Sequence, residues 1–152
     1  MKNKYIWIGI FLIIALAILL AWPKLTNPHK ETIKKWNDLG IECISSHQNI
    51  SQHIHPHLTV IVDGANQTIP METGIVRNCM AELHAHDASG VIHIETVDAD
   101  KKFKLQDFFA VWDESLNKPG YKLEMTVDGI LNNELENLIM TDKQQIILKY
   151  SK

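Results

Sequence analysis

The chain is short of arginine, and this shortage limits the partners it can bind. Arg77 is its single arginine, and 15 lysine and arginine residues face 18 aspartates and glutamates, for a net charge of -3. Binding of nucleic-acid phosphates requires clustered lysine and arginine side chains. The sequence therefore predicts no nucleic-acid partner.

Several catalytic motifs are also missing. The sequence contains no Gly-x-Ser-x-Gly, no His-Glu-x-x-His, no phosphate-binding P-loop and no Cys-x-x-Cys. Each of these motifs supports a specific chemistry: acyl transfer, zinc proteolysis, nucleotide binding or dithiol redox exchange. The sequence therefore favours a binding domain over an enzyme.

One long apolar run stands at the beginning of the chain. Residues 5–22 carry no charge, and a helix of that length spans roughly 27 Å, close to the hydrocarbon thickness of a bilayer. A cleaved signal peptide is the alternative, but the run is long for one and lacks a small-x-small exit. The run predicts a transmembrane anchor over residues 1–24 that binds the membrane through residues 5–22. A very short tail before the span and a potential disulfide after it favour a single-pass protein whose domain is extracytoplasmic, in the periplasm or at the cell surface.

The rest of the chain predicts an α+β domain. A capping Asn27 before Pro28 starts a short helix that ends near Gly40, so residues 25–40 are expected to be a helical linker and residues 41–152 the domain. Alternating polarity predicts a strand over 53–62, followed by an Asp63-Gly64 hairpin turn. Further strands are expected at 80–85, 91–95, 121–127 and 144–150, with an amphipathic helix over 105–112. The predicted fold is a small mixed β-sheet with one principal packed helix, similar to a β-grasp domain.

Histidine is the most informative residue type in the sequence, and two patterns of it stand out. They are His53-x-His55-x-His57, and His84-x-His86 followed by His93. Residues i and i+2 of a strand share a face with Cα atoms roughly 6.5–7 Å apart, so two imidazoles at that spacing can hold one ion. All three members of the first pattern cannot do so in an extended strand. A metal site is therefore expected to combine two of them with histidines from the second pattern.

Acidic residues and the choice of metal complete this hypothesis. Glu95 shares the predicted face of His93, and Asp87 follows His86, so both are candidates to orient the ligands. Imidazole ligands suit copper or zinc. The alternative is that a half-exposed sheet face simply requires polar residues.

The chain has two cysteines, Cys43 and Cys79, on either side of the first histidine pattern. Outside the cytoplasm an isolated pair most often forms a disulfide, whereas copper ligation or redox chemistry are the alternatives. A disulfide would hold the first histidine pattern beside the second.

These motifs resemble those of a family of uncharacterised bacterial and archaeal proteins, usually with one membrane span. The family pattern is His-x-His-x-His-Leu-Thr, a later Cys, then His-Thr-His-Asp-x-Ser-Gly-Ile-Ile-His-x-Glu and a Phe-Phe-x-x-Trp helix. The present chain has Pro56 and Ala85 where the family is expected to have Ala and Thr, and Val91 where the second motif has Ile, and none of these differences removes a candidate ligand. The resemblance covers roughly residues 40–150 and implies the same architecture and the same choice of histidines, but no particular activity. The matching residues are His53 to Thr59, Cys79, His84 to Glu95 and Phe108 to Trp112.

The predicted function is that of a membrane-anchored extracytoplasmic domain that binds copper or zinc through its histidine cluster. Two alternatives stay open. One is a protein-interaction module of an envelope complex with structural or pH-sensing histidines, because imidazole titrates near pH 6.5. The other is a metal-dependent hydrolase in which Glu95 or Asp87 acts as general base.

Overall fold

The chain folds mainly into β-strands. The structure is a computed structural model that describes residues 8, 10–13, 16, 28–44 and 49–152. Its contacts divide the chain into two compact units, Met1–Thr32 and Ile33–Lys152. All of the described strands belong to the second unit.

The described part of the chain contains eleven strands and two short α-helices with defined bounds, and residues 8, 10–13 and 16 are also helical. Helix α1 is Pro28–Asp38 and helix α2 is Leu105–Trp112, and a 3-10 turn covers Leu135–Asn137. The strands are β1 (Cys43–Ile44), β2 (Gln52–Ile54), β3 (His57–Val62), β4 (Ala65–Gln67), β5 (Ile75–Val76), β6 (Cys79–Ala81), β7 (Leu83–His84), β8 (His93–Thr96), β9 (Lys122–Val127), β10 (Ile130–Asn132) and β11 (Gln145–Ser151).

The strands form three sheets. The largest has the order β10-β9-β11-β3-β4 and is mixed, because β3 and β11 run parallel while its other pairs are antiparallel. The two smaller sheets have the orders β1-β6-β5 and β2-β8-β7. The sheet β2-β8-β7 carries three of the six candidate metal ligands, His53, His84 and His93.

Two hairpins of the large sheet follow from their turn residues. Asp63 and Gly64 have φ of 48° and 83°, and Asp128 and Gly129 have φ of 51° and 81°. Two successive residues with positive φ give the tight turn whose twist matches that of paired strands, and Asp-Gly is a favoured sequence for it. The first turn joins β3 to β4, which confirms the predicted hairpin, and the second joins β9 to β10.

The core lies between the sheets and helix α2. Alternate residues of β3 and β11 are buried, as a strand with one covered face requires. Helix α2 adds the aromatic residues Phe108 and Phe109, and its main contacts are with β7 and the 3-10 turn. Helix α1 begins at the predicted proline, and its Trp36 is buried in the core.

The predicted fold class is wrong. Instead of a small mixed sheet with one principal packed helix, the described part of the chain forms three sheets, and α2 has only eight residues. Several strands are just two or three residues long, such as β1, β5 and β7. An alternation of polarity cannot be recognised over so few residues, so the sequence did not indicate β1 or β5 and did not separate β7 from β6.

The predicted single-pass localisation is also contradicted. Among the residues that the structure describes, no helix has both the length and the apolar character needed to cross a bilayer. Most of the predicted anchor, residues 5–22, and part of the predicted linker lie outside the described residues.

The strand predicted over residues 53–62 is broken at His55 and Pro56. The two parts become β2 and β3 and belong to different sheets. Pro56 has no amide hydrogen to donate, and the amide of His55 donates to Oδ1 of Asp142 at 3.0 Å, outside any strand pair. The carbonyl of Pro56 still accepts from Ile92 at 2.9 Å, which holds the break against the strand of His93.

Candidate metal centre

The candidate centre is built across the sheet β2-β8-β7. On the central strand β8, His93 and Glu95 alternate with the buried Ile94, so the two polar side chains share a face. The register places His53 of β2 opposite Glu95, and His84 of β7 opposite His93. Histidines that are distant in the sequence therefore become neighbours on one side of the sheet.

One group of potential ligands contains His53, His55 and His93. One nitrogen from each ring lies within 4.8 Å of the other two. The ring centroids of His55 and His93 are 4.7 Å apart, and those of His53 and His55 are 4.5 Å apart. His53 is exposed, while the other two are half-buried, so an ion could reach this group from solvent.

A second group contains His84, His86 and again His93. One nitrogen from each of these rings lies within 4.8 Å of the other two. The centroids of His86 and His93 are 4.6 Å apart, and those of His84 and His86 are 4.8 Å apart. Tetrahedral ligand nitrogens at 2.0–2.1 Å from zinc lie about 3.3 Å from one another. Both groups would therefore close on an ion after side-chain shifts of about 1 Å.

His84 is the most constrained member of the cluster. Its side chain is fully buried, and Nδ1 lies 2.9 Å from the carbonyl oxygen of Ala81. A carbonyl only accepts, so Nδ1 carries the hydrogen and Nε2 keeps its lone pair. Nε2 lies 3.2 Å from Nε2 of His86. Burial lowers the pKa of His84 to about 4, which keeps the ring neutral near pH 7.

His93 has an unsatisfied buried atom. Its Nδ1 is inaccessible to solvent and has no hydrogen-bond partner within the described residues. Burial and, next, the proximity of His86 lower the pKa of His93, so its neutral form is favoured. A buried polar atom without a partner destabilises the fold, and a metal ion would satisfy it.

Glu95 places a negative charge beside the cluster. Its side chain is 1% exposed, and Oε1 lies 3.0 Å from Nε2 of His53 and 3.9 Å from Nδ1 of His93. When Nε2 of His53 donates to this carboxylate, Nδ1 of the same ring retains the lone pair for a metal. A carboxylate that accepts a hydrogen bond from a histidine ligand in this way fixes the tautomer and the orientation of the ring.

His57 and Asp87 have other roles in the structure. Nε2 of His57 donates to the carbonyl of Ser89 at 2.9 Å, and His57 belongs to neither described group. Oδ1 of Asp87 accepts from the amide of Ser89 at 2.8 Å. Hydrogen bonds from Ser89 lower the pKa of Asp87, whose side chain is exposed. Both residues thus shape the loop between β7 and β8.

The cysteines form the predicted disulfide. Cys43 of β1 and Cys79 of β6 are joined in the sheet β1-β6-β5, where Cys43 pairs with Ala81. Because both sulfurs are used in the bond, the oxidised chain has no thiolate to offer a metal. The disulfide ties β1 to the strand just before β7, and so stabilises the segment that positions His84.

The sequence did not indicate that His93 would be shared between two ligand groups. It suggested one site with two histidines from the first pattern, without saying which ones. The break at Pro56 decides this, because it leaves His53 and His55 beside β8 and moves His57 into the pairing with β11. No local pattern reveals such a change of sheet.

Comparisons with known proteins gave no match: no family model, no curated protein and no solved structure is similar to this chain. The resemblance noted from the sequence motifs therefore stays a prediction.

Proposed function

We propose that this domain binds a transition-metal ion, zinc or copper, through the histidine cluster of the sheet β2-β8-β7. The observation that carries the proposal is the meeting of five imidazoles from two distant sequence motifs in two overlapping groups, each with nitrogens within 4.8 Å. Imidazole is a favoured ligand of both ions.

The state of the rings supports this proposal. Burial lowers the pKa of His84 to about 4 and also lowers the pKa of His93, so the neutral form of these two rings is favoured near pH 7. Neutral rings offer lone pairs, and His84 has its lone pair fixed on Nε2 by the bond from Nδ1 to Ala81. The buried, unpartnered Nδ1 of His93 would gain a partner from an ion.

The experiment measures metal binding by the full chain. The purified, metal-free protein is titrated with Zn²⁺ by calorimetry, and bound metal is counted after dialysis. We expect saturable binding and an increase in the free energy of unfolding of about 2.7 kcal/mol when free metal is 100 times Kd.

Substitutions identify the ligands. His86→Ala and His55→Ala change side chains that are exposed or half-buried, so the fold should tolerate them. The matched control is His57→Ala, which removes a histidine of the same motif that belongs to neither group. Weakened binding in the first two variants with unchanged binding in the control supports the proposal. Equal affinity in all of them would reject it.

The same experiment addresses the alternative of a protein-interaction module with pH-sensing histidines. If the chain takes up no metal, the cluster serves the fold or binds a protein partner. The hydrolase alternative has one supporting feature: three histidine ligands leave a coordination position for water. It requires hydrolysis by the metal-loaded chain that is lost in His86→Ala.

A further inference from the structure

His93 belongs to both ligand groups, and an imidazole has two nitrogens. We infer that the cluster holds two ions, one in each group, with His93 bridging them through Nδ1 and Nε2. The inference rests on the proposed function, because it requires that the cluster binds metal at all.

The position of His93 between the two pairs of histidines is the first argument. It lies on β8, the central strand, with His53 and His55 on the β2 side and His84 on the β7 side. Its ring is 4.7 Å from that of His55 and 4.6 Å from that of His86, so neither group is favoured by distance. In the described part of the chain, every ring contact between the two pairs passes through His93.

The orientation of the ring is the second argument. Nδ1 of His93 lies 3.9 Å from Oε1 of Glu95, the same oxygen that lies 3.0 Å from Nε2 of His53. Nδ1 is therefore on the side of the ring that faces His53 and His55. It is buried and has no hydrogen-bond partner within the described residues, so nothing there competes with an ion for it. Nε2 is left for the group of His84 and His86.

A bridge needs both ring nitrogens, so the single N–H proton of neutral His93 must leave. The first ion takes the existing lone pair. When the second ion binds, the N–H bond breaks, its electron pair goes to the new metal–nitrogen bond and the proton passes to solvent. Metal binding that displaces a ligand proton is observed as proton release. No electron is transferred, so no oxidant or reductant is required.

Charge is the third argument. Two divalent ions bring four positive charges into a partly buried site, and repulsion between them opposes joint binding. The bridging imidazolate carries one negative charge between the ions. Glu95, whose side chain is 1% exposed, adds a carboxylate beside His53, at the edge of the group formed by His53, His55 and His93. Together they reduce the net charge of the centre to two.

The test uses Cu²⁺ as a probe with the full chain, in a buffer that contains a weak competing chelator. We expect two ions per chain and an integrated electron paramagnetic resonance signal that grows with the first equivalent and falls with the second. The fall is expected because an imidazolate bridge couples the two unpaired spins antiferromagnetically. Release of one additional proton should accompany the second ion.

Variants separate this inference from the proposed function. His55→Ala should bind one ion with a full signal, and His57→Ala should behave as the unchanged chain. His93→Ala should lose the coupling, so that any copper it binds gives its full signal. One ion per unchanged chain, or two with a full signal, would overturn the bridge while leaving the metal-binding function intact. No bound ion would overturn both.

Discussion

The buried His84 makes the metal-free domain sensitive to mild acid. Its pKa is about 4 in the folded chain, against 6.5 for an ordinary histidine, because burial is the largest influence on it. The nearby His86 and His93 lower this pKa further, whereas Ala81 and Glu95 oppose the shift. Between these two pH values the unfolded chain binds a proton that the folded chain does not.

The sign and the size of the effect follow from this difference. Since the unfolded state binds more protons, the free energy of unfolding decreases as the pH falls from 6.5 towards 4. The difference between pKa values of 6.5 and about 4 corresponds to a loss of about 3 kcal/mol in the free energy of unfolding once the pH is below both values. We expect losses of about 1 kcal/mol at pH 5.5 and about 3 kcal/mol at pH 4 from His84 alone.

The assay is urea unfolding of the metal-free chain at pH 7, 5.5 and 4, with metal removed by a chelator. The comparison is His84→Gln, which keeps a polar side chain of similar size but cannot titrate. The variant should lose less stability than the unchanged chain over this range.

A second measurement does not depend on how well the variant folds. The ring resonances of His84 in the unchanged chain, followed by NMR, should stay those of neutral imidazole down to about pH 5. Titration of His84 near pH 6.5, or the same pH dependence of stability in His84→Gln, would refute the reasoning.

Three further predictions concern the surroundings of the cluster. Glu95→Gln should weaken Zn²⁺ binding by about 10–100-fold, measured by competition with a chromogenic chelator, because the orienting carboxylate is lost; unchanged affinity would contradict this role. Gly90→Ala should destabilise the domain in urea more than Gly64→Ala. Both positions have positive φ, so alanine is strained at each. A Cβ at Gly90 would also lie 2.5 Å from a backbone oxygen of β3, whereas a Cβ at Gly64 would meet no atom within 4 Å. Equal losses would show that strand β3 moves aside. Reduction of the disulfide between Cys43 and Cys79, which are 36 residues apart in the sequence, should lower the free energy of unfolding by about 4 kcal/mol on the chain-entropy model. Unfolding curves with and without dithiothreitol measure this loss, and identical curves would disprove the contribution.

Local signals in the sequence were reliable where the local chain determines the structure. The Asp63-Gly64 turn, the helix that begins at Pro28 and the long strands near the C-terminus all follow from residue type and period. Each depends on contacts within a few residues, such as the positive φ that Asp-Gly tolerates. Helix α2 also lies where its apolar spacing placed it, although it is not the principal layer of the fold.

The fold class could not be obtained in the same way. The segment predicted as one strand from residue 80 to 85 is two strands, β6 and β7, that lie in different sheets. At the bend between them, the buried Glu82 accepts from the amide of Glu42 at 2.9 Å and forms an ion pair with Lys101. These partners are distant in the sequence, so the polarity pattern around Glu82 gives no sign of the bend.

The sequence by itself determined the cysteine pair, the tight turns and the set of histidines from which a metal centre could be built. Those features depend on side-chain chemistry and on spacing along one strand, which a sequence displays directly. Only the tertiary structure decided that His57 leaves the group, that His93 stands between two pairs and that Glu95 is buried against His53. The physical reason is that neighbours across a sheet are chosen by long-range strand pairing and register, and a one-residue change of register would turn these side chains to the other face.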